Sequence, residues 1–164
     1  MPTPTPVQDQ YISSHFLYSD VTRSSTADRL GIDNSLEPSL IPAVYNTAAH
    51  MELVRTVLQT PILVDSWARC LKLNRVLKSK DTSQHVKGEA VDFISPKYGT
   101  PESICKILDE HFSLIQFDQL IFEHSWVHIA FQSSPTIKPR GQVLTLLEDG
   151  DYGAGITDKK GNPL

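Results

Sequence analysis

The sequence predicts an α+β fold in which N-terminal helices pack on a mainly antiparallel sheet. In the first third of the chain, apolar residues recur at every third or fourth position, which is typical of helices. In the second half they alternate with polar residues, which is typical of strands with one buried face. With 164 residues, 40% of them hydrophobic, the chain is long enough for one core and short for two domains.

Two helical segments are predicted before the first strand. Residues 16–30 have a helical pattern and are followed by a turn at 31–38. Residues 38–58 have the most regular helical spacing in the chain, and Pro61 ends that helix. A short buried strand at 62–66 and a loop rich in lysine and arginine follow.

The second half of the chain alternates in the manner of strands. Alternating segments lie at 89–94, 117–123, 126–131 and 142–147. Between the first two of them, residues 101–111 have helical spacing, with a proline in the first turn, where it is tolerated. Helices followed by several strands are typical of the α+β class.

Composition divides the chain into three parts. Residues 1–13 include three prolines and lack a hydrophobic period, so we expect an extended N-terminal arm. Residues 148–164 are rich in glycine and acidic residues, so we expect a flexible tail. The folded domain is then expected to span residues 14–147.

Charge and local composition exclude several classes of function. A formal net charge of −4 and a pI near 5.8 give no basic field, so we expect no nucleic-acid partner. The two cysteines lie outside any CxxC pair and provide no disulfide framework. No apolar stretch reaches the roughly 18 residues of a membrane helix, and the start of the sequence lacks signal-peptide features. We expect a monomer that is synthesised in the cytoplasm without a signal peptide and does not insert into membranes.

Three side chains of the second half are predicted to meet. In the strand that contains Asp92, alternation places the carboxylate on the face opposite the apolar residues, beside an alanine. The strand that contains His128 has the same arrangement. Pairing of these strands would bring Asp92 and His128 together, and His85, just before the turn at Gly88, can fold back over them.

The ligand types at these positions match catalytic zinc, because two imidazoles and one carboxylate leave a fourth tetrahedral position for water. We therefore expect one zinc ion per chain. Each histidine alone could be an ordinary polar or core residue, but a buried carboxylate requires a partner, which a metal would supply. Non-haem iron oxygenases use the same ligand types. Those enzymes usually need an eight-stranded barrel, whereas the first third of this chain is predicted to be helical.

Several segments of the sequence resemble a known family. The pattern HxxGxAxD at 85–92, followed by WVH at 126–128, is similar to zinc peptidases that include D-Ala-D-Ala carboxypeptidases, D-Ala-D-Ala dipeptidases and phage L-alanyl-D-glutamate endopeptidases. Four segments resemble the short, often phage-encoded branch of that family in the same order: HFLYSDVTRSSTADRLGIDN, SWAR with LNR, TSQHVKGEAVDF and FDQLIFEHSWVHIAF. The resemblance covers residues 14–132.

The resemblance implies a zinc fold shared with Hedgehog domains and hydrolysis of a peptide bond in peptidoglycan stem peptides. It assigns zinc ligation to His85, Asp92 and His128. It assigns to Arg69 the binding of a substrate carboxylate, because a planar guanidinium can donate two parallel hydrogen bonds to the two carboxylate oxygens. The implied protein is an endolysin-like carboxypeptidase or endopeptidase that acts on the bacterial cell wall.

The general base is the position at which the chain departs from the family. Several relatives have an acidic residue three positions before the last histidine, where this chain has Ser125. Glu123, five positions before His128, is the available carboxylate, because the phage branch has a glutamate about six positions before and the turn here would be one residue shorter. His124 could assist instead. Trp126 could form a substrate wall or a packing anchor.

This departure supports an alternative function. Hydrolysis requires a base near the metal, and this chain has Ser125 where several relatives have an acidic residue. Hedgehog signalling domains show that the same zinc fold can serve without turnover. A zinc-containing, non-catalytic binding module is therefore the second hypothesis.

Overall fold

The structure, a computed structural model, describes residues 9–164. Its strands are β1 (Leu63–Ser66), β2 (Ala90–Ile94), β3 (Gln119–Phe122), β4 (Val127–Ala130), β5 (Gln142–Leu146) and β6 (Tyr152–Ala154). Its helices are α1 (Tyr18–Thr22), α2 (Ser25–Leu30), α3 (Ile41–Leu58), α4 (Leu71–Val76), α5 (Pro101–Glu110) and α6 (Phe112–Ile115). The strands form one sheet in the order β1-β2-β4-β3-β5-β6, antiparallel except for the pair β3 and β5. The α+β fold predicted from the sequence is confirmed.

Helix α3 forms much of the helical part of the core. Val44, Met51 and Leu58 are buried along it, and it packs against α5 and α6. The predicted helix at 38–58 is present, with its first three residues in a 3-10 turn, Pro38–Leu40. Neither α3 nor any other helix within residues 9–164 is both long and apolar enough to cross a membrane.

Strands β2 and β4 carry different chemistry on their two faces. Val91 and Ile129 are opposite each other in the ladder and are fully buried in the hydrophobic core. Asp92 and His128 form the next pair and lie on the other face, as the alternation predicts. A slip of one residue in register would exchange the two faces, so the apolar core fixes the position of this polar pair.

The loop predicted after β1 contains the short helix α4. The helix begins after Cys70, whose Sγ accepts a hydrogen bond from the backbone N–H of Leu73 at 3.4 Å. Leu73 is buried with Ala27 and Ile32 in a small second cluster. The hydrophobic pattern of α4 is weak because the helix has six residues and buries two of them, Leu73 and Asn74.

The segment after residue 147, for which the sequence predicts a flexible tail, instead adds a strand to the sheet. Strand β6 pairs antiparallel with β5. Thr145 Oγ1 donates to the carbonyl oxygen of Gly155 at 2.8 Å and accepts from the backbone N–H of Thr157 at 3.0 Å. Thr157 is itself buried. These contacts depend on β5, so the composition of the segment alone does not reveal them.

The predicted N-terminal arm lies partly outside the described residues, which begin at Asp9. Tyr11 forms an isolated bridge with Leu17, and Ile12 packs against the hydrophobic core. The backbone N–H of Ile12 donates to the carbonyl oxygen of Phe16 at 2.9 Å. Tyr11 and Ile12 are therefore attached to the domain.

The turn at Gly88 connects the site to helix α3. Gly88 has a φ of +70°, a conformation that favours glycine. Its carbonyl oxygen accepts hydrogen bonds from Thr47 Oγ1 and Trp67 Nε1, both at 3.0 Å. A Cβ at this position would lie 2.9 Å from Val44 Cγ2. Glycine is required here both by the backbone conformation and by the close approach of α3.

Gly88→Ala should lower the free energy of unfolding by about 2–4 kcal/mol, because alanine is strained in the left-handed backbone conformation and its Cβ would clash with Val44. Gly31→Ala is the matched control. Its φ is +62° and nothing lies within 4 Å of where its Cβ would be, so only a strain of about 1–2 kcal/mol applies. Urea denaturation measures both losses. Equal losses would contradict the role assigned to Val44.

Candidate metal centre

Three buried side chains converge on the polar face of the sheet. His85, Asp92 and His128 each offer one ligand atom, and these atoms all lie within 4.8 Å of one another. His128 Nδ1 lies 2.8 Å from Asp92 Oδ1, and His85 Nε2 lies 3.2 Å from Asp92 Oδ2. The two imidazole rings meet edge to face at a centroid distance of 5.1 Å. The structure thus brings together the three residues that the sequence predicted as metal ligands.

His85 is oriented by the backbone around it. The residue lies in the turn before β2, is 3% exposed, and has its Nδ1 at 2.6 Å from the carbonyl oxygen of Trp67. A carbonyl can only accept, so Nδ1 carries a proton, and Nε2 is the ring nitrogen that faces Asp92. The carbonyl oxygen of His85 in turn accepts from the backbone N–H of Arg69 at 3.0 Å. Such outer contacts are typical of histidines that bind metals.

The electrostatics of the cluster favour the deprotonated ligands. Burial raises the pKa of Asp92, but the opposing charges and hydrogen bonds of His85 and His128 outweigh it and hold the pKa well below the usual range. Burial lowers the pKa of His85, and this effect exceeds the opposing influence of Asp92. Both shifts favour the deprotonated side chains, which are the forms that bind metal.

The donor set fits zinc. Two imidazole nitrogens and one carboxylate oxygen are the protein ligands of many catalytic zinc sites. Among residues 9–164, these three residues are the only group of three or more His, Cys, Asp or Glu side chains whose ligand atoms all lie within 4.8 Å of one another.

A large open cleft lies over the cluster. Its volume is about 1020 Å³, and its lining includes the three predicted ligands. The lining also includes Arg69, Glu123, Trp126 and Tyr152. The cluster is thus accessible to a ligand of peptide size from this side.

Arg69 lies directly beside the cluster. Its side chain is 12% exposed, its Nη2 donates to Asp92 Oδ2 at 3.0 Å, and its Nε donates to Ser66 Oγ at 3.0 Å. The guanidinium therefore orients the Asp92 carboxylate, a contact that the sequence did not predict. Its Nη1 forms no hydrogen bond with any of the described residues, which leaves a donor for a substrate.

Glu123 and His124 differ in their placement. Glu123 is half-buried in the cleft wall, and burial, together with the charge of Asp92, raises the pKa of its carboxyl. His124 adopts a φ of +62°, and its Nε2 lies 2.7 Å from the carbonyl oxygen of Leu146, to which it donates. Within the described part of the chain, His124 is not among the residues that line the cleft. Of the two base candidates, Glu123 is the one that lines the cleft.

Tyr152 and Trp126 complete this part of the cleft. Trp126 lines the cleft, as a substrate wall would require. The Nε1 atom of Trp126 is buried and has no hydrogen-bond partner among residues 9–164. Tyr152 was not predicted from the sequence, because the composition of its segment indicates a tail. The pair Asp149-Gly150, between two alternating stretches, is a hairpin signal that would have placed Tyr152 on a strand.

Comparison with known proteins agrees with this geometry. A search of curated proteins finds no match. A family model described as Peptidase M15 matches residues 14–130, which include Arg69, Glu123 and the three candidate ligands. The match covers more than half of the chain and confirms the resemblance found in the motifs. The chain therefore belongs to the Peptidase M15 family of zinc peptidases.

Proposed function

We propose that the protein is a zinc-dependent peptidase that hydrolyses a peptide bond in peptidoglycan stem peptides. The observation that carries this proposal is the buried cluster of His85, Asp92 and His128 at the floor of an open cleft that also contains Glu123. Membership of the Peptidase M15 family supports the chemistry. The substrate class is inferred from the resemblance of the motifs to peptidases that act on peptidoglycan stem peptides.

His85 Nε2, Asp92 and His128 Nδ1 would hold the zinc ion, because these atoms face one another. Zinc bound there would lower the pKa of a bound water and polarise the scissile carbonyl. Glu123 would take the proton of the attacking water and pass it to the leaving amine. Its raised pKa suits this exchange, because a base works best with a pKa near the working pH.

The cleft has cationic groups for an acidic peptide. The charged residues that line it are the basic Arg69, Lys78, Lys80, Lys87 and Arg140 and the acidic Glu89, Asp92, Asp118 and Glu123. Within residues 9–164, the three lysines form no salt bridge, whereas Arg140 pairs with Asp118 and Arg69 with Asp92. Stem peptides carry carboxylates on D-Ala, D-Glu and the diamino acid, so we propose that Arg69 binds one of them through its free edge.

We extend the proposal to an endolysin-like enzyme of the bacterial cell wall, as a monomer that acts as either a carboxypeptidase or an endopeptidase. Digestion of soluble muropeptides from purified peptidoglycan, followed by mass spectrometry, tests this directly. The expected result is a set of shortened peptides that reveals which bond is cut and that disappears with a zinc chelator. Binding of muropeptides without any product would instead support a non-catalytic zinc module.

The purified protein should contain one zinc ion per chain, and His85→Ala, Asp92→Ala or His128→Ala should each lose most of it, because three ligands are needed for tight binding. His15→Ala is the control, since this histidine is about half exposed and pairs with Glu52, away from the cluster. Elemental analysis measures the content. A wild-type protein without zinc that takes up none on titration would refute the assignment.

Arg69→Lys should lower kcat/KM by roughly tenfold or more while zinc content stays normal, because lysine keeps the charge but loses the fork. Arg75→Lys is the matched control. Arg75 also makes a two-pronged contact, with Asp81 at 3.0 and 2.7 Å, but it is exposed on α4 and does not line the cleft. Kinetics on a cleaved muropeptide measure both. Equal effects would assign Arg69 to a structural role.

Glu123→Gln should reduce turnover by about 10²–10⁴-fold, because glutamine keeps the shape of the side chain and removes its basicity. Zinc content should be unchanged. His124→Ala should retain most of the activity, since that ring is engaged with the carbonyl oxygen of Leu146. The reverse result, with Glu123→Gln active and His124→Ala inactive, would make His124 the base.

A further inference from the structure

Strand pairing places Tyr152 in the same row of the sheet as Glu123. The backbone N–H of Glu123 donates to the carbonyl oxygen of Trp126 at 3.2 Å, which continues the ladder of β3 and β4 by one step. Phe122 pairs with Thr145 in the parallel ladder, so the next residues, Glu123 and Leu146, are also neighbours. Leu146 pairs with Tyr152. Glu123 and Tyr152 therefore share one face, separated by a single strand.

The hairpin between β5 and β6 fixes the backbone of Tyr152. The backbone N–H of Leu147 donates to the carbonyl oxygen of Asp151 at 2.8 Å. Gly150, with a φ of +88°, closes the turn by donating to the carbonyl oxygen of Leu147 at 3.1 Å. With the contacts of Thr145 described above, these bonds hold Tyr152 from both sides.

The phenol reaches into the cleft with its hydroxyl free. Tyr152 lines the same cleft as Glu123 and His128. Among residues 9–164, its hydroxyl has no hydrogen-bond partner, and the residue is 52% exposed. Neighbouring strands lie about 4.7–4.9 Å apart, so Tyr152 and Glu123 are two strand spacings, roughly 9.5 Å, apart, a gap that the two long side chains can close from both sides.

Burial and the charges of the cleft favour the protonated form of this hydroxyl. Burial raises the pKa of Tyr152, and the carboxylates of Glu123 and Asp92 raise it further. A protonated phenol is a hydrogen-bond donor, which is the group needed where negative charge develops on a substrate oxygen.

We propose that Tyr152 is a catalytic residue whose hydroxyl donates a hydrogen bond to the oxygen of the scissile carbonyl as negative charge develops on it. The inference rests on the proposed peptidase function. Tyr152 lies beyond the segment matched by the family model, which ends at residue 130, so this donor comes from the C-terminal hairpin of this chain. No covalent step is assigned to the phenol, which keeps its proton throughout.

Tyr152→Phe removes the hydroxyl and retains the ring. We expect kcat on a muropeptide that the wild-type protein cleaves to fall by about 10- to 100-fold, with KM changed by no more than about twofold. Zinc content and melting temperature should match the wild type. Tyr45→Phe is the control, since Tyr45 is 53% exposed, like Tyr152, but lies on α3 outside the cleft. It should leave kcat unchanged.

An unchanged kcat in Tyr152→Phe, with an active wild-type protein, would overturn the inference and leave the peptidase function standing. A rise in KM at constant kcat would also overturn it, because the hydroxyl would then bind substrate without acting in the transition state. An equal loss in Tyr45→Phe would do the same. An inactive, zinc-loaded wild-type protein would contradict the proposed function itself, and the inference with it.

Discussion

Burying the carboxylate of Asp92 in a sheet costs free energy that hydrogen bonds and opposite charges must offset. Three groups contact its two oxygens: His128 Nδ1 at 2.8 Å, Arg69 Nη2 at 3.0 Å and His85 Nε2 at 3.2 Å. Each comes from a different part of the chain, so the carboxylate can be satisfied only after β2, β4 and the turns around them have assembled. The site and the fold therefore form together.

The hydrophobic core provides the precision that this arrangement needs. The pair Val91 and Ile129 lies in the core, one position away from the pair Asp92 and His128. Because side chains alternate along a strand, packing of the apolar pair sets the register of the polar pair. The close approach of α3 at Gly88 then seats the turn that carries His85. Small errors in the core would thus be transmitted to the metal ligands.

Local pattern was sufficient for much of this architecture. Period-two alternation predicted strands β2 and β4, their pairing, and the shared face of Asp92 and His128, because each of these follows from neighbouring residues. Strand β6 was missed because the glycine-rich and acidic composition of its segment indicated a tail, although the pair Asp149-Gly150 is a local hairpin signal. The contact of Arg69 with Asp92 was missed because the two residues are 23 positions apart and no local pattern joins them. Separations of this kind are set by tertiary packing.

We place one zinc ion among the three buried ligands. A crystal of the zinc-loaded protein, with anomalous diffraction collected at the zinc absorption edge, tests this placement. We expect a single strong peak about 2.0–2.2 Å from His85 Nε2, an Asp92 carboxylate oxygen and His128 Nδ1, with a further position open to the cleft. A zinc peak elsewhere in the molecule, with the three side chains still bonded to one another, would contradict it.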